Sequence, residues 1–144
     1  MGYAGGEPYR LEFTSADAQT PASTKLFDAD GNERTLESWE YIRLENLNVQ
    51  MDNAVDEVEI FDDVDDDDTV DEGERIVTVG TNTTGNSPAN HDIQFDGDGK
   101  RLSKGRLPKV HAAAAGSIVV TGVAHVHVAG DYGQTPPWKA QFGQ

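Results

Sequence analysis

Apolar side chains in this chain recur mainly at every second position, in short runs separated by Gly, Pro, Asn and Asp. That period is the signature of strands with one wet face. Tyr9, Leu11 and Phe13 share a face, with Arg10 and Glu12 on the other. Lys25-Leu26-Phe27 and Arg34-Thr35-Leu36 flank Asp28-Ala29-Asp30-Gly31-Asn32, a hairpin turn. Between Trp39 and Met51 the alternation runs Ile42, Leu44, then changes phase to Leu47, Val49, Met51. A strand with a bulge near Asn46 explains the change. The spacing of Leu36 and Trp39 suits a helix, but the later residues break that period.

Further strands are expected at Val58–Phe61, Arg75–Val79 and His91–Phe95. Leu107–Val110 reads as a short edge strand, because Pro108 cannot donate to a ladder. The strongest strand is the last, Ser117–Val128. Its buried face is expected to carry Ile118, Val120, Ala124, Val126 and Val128, and its other face Val119, Thr121, Val123, His125 and His127. Seven or eight short strands with no convincing helix predict an all-β, antiparallel β-sandwich or jelly roll. The sandwich is expected over residues 9–129, between an N-terminal arm at 1–8 and a C-terminal tail at 130–144. Neither flank has the alternation to join a core, so both are expected to dock on other subunits.

The 144 residues fit one domain, and the 36% hydrophobic content suits two facing sheets with wet outer faces. No cysteine is present, which excludes disulfides and thiolate metal sites. A net charge of -15 opposes nucleic-acid backbones and anionic lipid, so neither is expected as a partner. No apolar run reaches the roughly 18 residues a membrane span needs. The start lacks a basic region and an apolar core, so no signal peptide is read there, and Gly6 stands where a myristoylation signal wants Ser or Thr. Synthesis in a cytoplasm is the expectation.

The acidic segment 62–74 holds nine of the 26 acidic residues. Carboxylates on a bent loop could gather calcium, which takes six to eight oxygens. An EF-hand pattern wants Gly at its sixth position and Glu at its twelfth, and the run is read as not meeting it. A solvated hairpin loop that discourages edge pairing is the expectation. Asp28–Asn32 fails the same motif. His125 and His127 share a strand face, and His91 and His111 could complete a metal set. No carboxylate follows at a telling spacing, so no metal and no cofactor is expected. Ser103 and Ser117 lie in no nucleophile motif, and Gly97-Asp98-Gly99-Lys100 is too short and acidic for a phosphate loop. No catalytic residues are assigned, and an enzyme is not expected. Residues 100–109 carry five of the 11 basic residues, which suggests a basic loop meeting the acidic loop of a neighbouring copy.

The succession 41–47, Val58–Asp62, Arg75–Val79, Ile93–Gly97 and Gly116–Gly122 resembles small β-sandwich virion proteins of tailed viruses. The resemblance covers residues 39–128. It implies a non-enzymatic structural protein that decorates a capsid or joins it to a fibre, located in the virion on the capsid surface. The implied partners are copies of itself, with a trimer favoured, and a major capsid protein. The alternative is a carbohydrate-binding sandwich for host attachment, using Trp39, Tyr41, Tyr132 or Trp138 and a calcium ion in the acidic loop.

Overall fold

The computed structural model describes residues 7–80 and 89–129. The expected arm falls almost wholly outside these residues, as do the tail and most of the polar loop at 81–90. Two antiparallel sheets pack face to face. The larger contains β1 (Glu7–Ser15), β3 (Lys25–Phe27), β4 (Glu33–Arg34), β5 (Glu40–Met51), β8 (Ala89–Gln94), β9 (Lys100–Arg101) and β11 (Ile118–Val128). Its order is β4-β3-β1-β11-β5-β8, and β9 also pairs with β5. The smaller sheet runs β2 (Ala22–Ser23), β10 (Lys109–Ala112), β6 (Glu57–Phe61), β7 (Arg75–Gly80). This is the all-β sandwich the alternation predicts. Among the described residues no helix is long and apolar enough to cross a membrane; one 3-10 turn, Asn53–Val55, precedes β6.

The core lies between the sheets. Leu11, Ile42, Leu44, Leu47, Val49, Ile118, Val120 and Ala124 face in from the large sheet, and Val58, Ile60 and Val110 from the small one. The phase change in β5 is a bulge: opposite Val123 and Ala124 stand Asn46 and Leu44, leaving Glu45 unpaired in register. The extra residue keeps both halves of the strand aimed at the core. Gly122 makes the bulge possible, since a Cβ there would strike the Asn46 carbonyl.

Three expectations need correction. Val128 is 40% exposed and does not join the buried face, because the ladder ends there. His127, assigned to the wet face, is buried on that outer side against Tyr41, their rings stacked at 5.1 Å. The strand near Pro108 is not an edge. It starts at Lys109, two residues later than expected, and lies between β2 and β6, while Pro108 contributes its carbonyl to the Thr24 amide and hydroxyl. Placing the proline just before the strand removes the missing donor from the ladder.

Candidate metal centre

The hairpin between β6 and β7 carries the acidic run, and it is built, not merely solvated. Asp63 is 1% exposed. Its carboxylate accepts the Asp67 amide at 3.2 Å and the Asp68 amide at 2.9 Å, which folds the loop back over it. Burial alone would raise this carboxyl's pKa, but the Lys109 ammonium and the two amides outweigh it and hold the group well below the usual carboxylate range. At the loop's far end Glu74 is buried, its two oxygens accepting the amides of Val64 and Asp71, each at 3.0 Å. Asp66 and Asp68 take positive φ, the left-handed conformation in which Asp is tolerated better than most residues.

The loop's carboxylates face two ways, with Asp63 shared between them. Lys109, reaching across from β10, bonds Asp63 at 2.7 Å, Asp66 at 3.2 Å and Asp68 at 2.6 Å, and Arg106 adds a longer contact to Asp66. Burial lowers the lysine's pKa, and the three carboxylates raise it by more, so the ammonium stays charged. On the other side, one oxygen from each of Asp63, Asp65, Asp67 and Glu74 falls within 4.8 Å of the others. Opposite ligands of a calcium ion stand about 5 Å apart, twice the usual metal–oxygen distance, so this set has the right span. Crowding shows in the proton affinities: desolvation and the neighbouring charges of Asp67 and Glu74 push Asp65 up to about 6, and Asp71 rises for the same reasons.

The mismatch with the EF-hand pattern is one of register. Counted from Asp63, Asp65 and Asp67 are positions three and five, Thr69 is seven, Asp71 is nine and Glu74 is twelve. These are the ligand positions of that loop. Asp68 fills position six, where Gly is usual, with a φ of 58°. The signal is in the sequence, hidden because Asp62 looks like the first member. Asp62 instead accepts the Ser103 amide and hydroxyl, both at 2.9 Å, and ties the hairpin to the 102–105 turn.

The basic segment therefore meets the acidic one within a single chain. Ser103, Arg106 and Lys109 all reach the hairpin, so two of the segment's five basic residues are engaged within the chain. The four histidines are not gathered. His91 bonds the Gly80 carbonyl and His111 lies by Glu59 on the small sheet, whereas His125 pairs with Glu45 on the outer face of the large one. Ser103 spends its hydroxyl on Asp62, joining its turn to the hairpin. Asp28 accepts the amides of Asp30 and Asn32, the tight turn expected of it. Tyr132 and Trp138 lie outside the described residues.

Fold and loop together define an antiparallel β-sandwich with an EF-hand-spaced acidic hairpin between two strands of its smaller sheet. No family model matches the chain, and no curated protein and no solved structure matches it either.

Proposed function

We propose that the chain is a non-enzymatic structural subunit, a calcium-stiffened β-sandwich that decorates or staples a tailed-virus capsid as a homo-oligomer. The observation that carries the physical half of this reading is the hairpin 63–74. Oxygens of Asp63, Asp65, Asp67 and Glu74 converge as hard ligands, while Lys109 neutralises Asp66 and Asp68 and shares Asp63. Such a loop trades chain flexibility for a fixed shape when it takes an ion. The virion assignment rests on the resemblance of residues 39–128 to virion sandwiches. Major capsid protein and further copies of this chain are the partners that follow from it.

Calcium titration of the chelator-treated protein tests the loop, read by isothermal calorimetry and by the melting midpoint. One site per chain and a higher midpoint are expected, both lost in Asp65→Asn/Glu74→Gln. An unchanged midpoint and no heat of binding would sink it. Incubating purified protein with undecorated capsids tests the second half, and failure to co-sediment would remove the particle assignment. The carbohydrate alternative is weakened at one of its aromatic residues. Tyr41 is flanked by Arg101 on its β9 side and by His127 on its β11 side, which leaves its ring no free platform. Trp39, at 50% exposure, remains.

A further inference from the structure

The bulge that shifts the phase of β5 also re-aims a side chain. Glu45 is the extra residue, out of register with β11, and its carboxylate meets His125 on the outer face of the large sheet at 2.7 Å. With His127 these two floor a cleft of about 380 Å³, walled by Phe95 and the 97–99 turn. The walls are fixed to the sheet. The Phe95 amide donates to the Glu45 carbonyl at 3.1 Å, and the Gly99 amide to the Asp96 carbonyl at 3.0 Å. Gly97 and Gly99, with φ of 61° and 89°, bend the turn on either side of Asp98, and Gly99 packs where a Cβ would strike the Leu44 carbonyl. A preformed cleft of this size suits a small molecule.

His127 is the group the cleft leaves unserved. It is 8% exposed and stacks on Tyr41, yet its ring nitrogens have no hydrogen-bond partner among the described residues. No side-chain nitrogen or oxygen wholly shut from solvent lacks a partner there, so these nitrogens open onto the cleft that His127 lines. Burial lowers the ring's pKa, and the charges of Arg43, His125 and Arg101 add to the effect while Asp98 opposes it. A neutral imidazole both donates and accepts. The field that keeps a proton off His127 equally opposes an organic cation, and the cleft's charged lining, Glu45 and Asp98, repels an anion. Nor do these groups close on a single ion: among the described residues only the acidic hairpin brings three or more such ligand atoms within 4.8 Å of one another.

We infer that this cleft binds a neutral pyranose sugar, its hydroxyls donating to Glu45 and Asp98 and bonding the His127 ring, its C–H face against Phe95. Hydroxyls form short, strong bonds to ionised carboxylates, and such a sugar supplies several of them without a charge of its own. Arg43 and Arg101 lie against Tyr41, outside the cleft, and touch no ligand. The site shares no residue with the acidic hairpin, and its test is run both in calcium and in chelator, so that failure of one reading leaves the other standing.

Full-length protein is titrated with the methyl glycosides of glucose, galactose and mannose, following the ring resonances of His127 and Phe95 by NMR. Methyl glucuronide and tetramethylammonium serve as charged comparisons. At least one neutral glycoside is expected to move both rings in a saturable way, with each charged probe about tenfold weaker or silent. Glu45→Gln/Asp98→Asn should weaken that glycoside by about tenfold, because charge-assisted bonds become neutral ones. If the double variant loses its fold, Asp98→Asn alone, at an exposed turn position, gives the same comparison. No saturable shift with any of the three glycosides overturns the inference. Undiminished binding by the variant overturns it too, and either charged probe binding as tightly as the glycoside would make the cleft an ion site instead.

Discussion

At the scale of single residues, Lys109 and Asp63 decide whether the acidic hairpin can hold its shape without metal. Asp63 is shut away from water, and its nearest formal positive charge is Lys109, itself only 16% exposed. Replacing the lysine with methionine keeps the stem's volume and strands the carboxylate. Breaking one side of a buried pair typically costs about 3–5 kcal/mol. That loss is expected for Lys109→Met in urea unfolding with chelator present, and a loss under about 1 kcal/mol would mean the Asp67 and Asp68 amides suffice. The pH profile follows from opposed shifts. Asp63 is depressed, and so is Glu40, where the paired Arg34 guanidinium at 2.7–2.8 Å outweighs burial. Depressed carboxyls contribute stability in full above their unfolded value of about 4 and lose it as pH falls through their folded one. Asp65, raised to about 6, has the opposite sign: its ionisation opposes folding, so relief comes as pH drops through about 6. Burial lowers the pKa of His127, which pulls the other way between pH 7 and 5, so the loop is read against a His127→Gln background. There the calcium-free protein should gain stability from pH 7 to about 5 and lose it below about 4, and a curve that falls steadily from neutrality would contradict the crowded loop.

At the scale of elements, β5 and β11 show what alternation can and cannot reveal. The phase change from Leu44 to Leu47 predicts a bulge near Asn46, and the paired strands put it one residue earlier, at Glu45. The facing requirement at Gly122 was not legible, because it depends on a backbone from a strand some 75 positions away in the chain. Gly122→Ala should cost about 1–3 kcal/mol as overpacking, read from denaturant unfolding, with the all-β circular dichroism retained. A neutral result would mean β5 can move aside. Short pairs such as β2 and β9 carry too few residues for any period to register. The end of β11 misled for a different reason: alternation says which face a residue takes and nothing of what covers that face, so His127 is buried and Val128 exposed. The hairpin's chemistry was present as spacing, but a run of six Asp in seven positions offers several registers, and only the burial of Asp63 and Glu74 selects one. That selection has a consequence for binding. Calcium must displace the proton that Asp65 holds up to about 6, so affinity should weaken as pH falls through that value. Calorimetry in two buffers of different ionisation heat would expose the released proton near pH 6, and proton-free binding there would argue against Asp65 as a ligand.

At the scale of the molecule, charge sets the terms on which copies could meet. Five of the 11 basic residues lie in segment 100–109, and two of them, Arg106 and Lys109, are bonded to the chain's own acidic hairpin. Those two are committed within the chain, while the net charge of -15 makes every copy repel every other. A contact held by opposite charges weakens when salt is added, whereas one formed against net repulsion strengthens, because the screening length shrinks from about 30 Å at 0.01 M to about 8 Å at 0.15 M. The proposed homo-oligomer is therefore expected to be sparse at low ionic strength and to grow as salt rises through that range. Calcium should promote it further, by two charges per loop filled. Sedimentation velocity across a salt series, with and without calcium, reads both effects. An oligomer that falls apart as salt is added would instead mean that acidic and basic patches meet between chains after all. The contact would then run through Lys100 and Arg101 of the same segment, and reversing both to Glu would abolish the oligomer while leaving the hairpin's bonds to Lys109 intact.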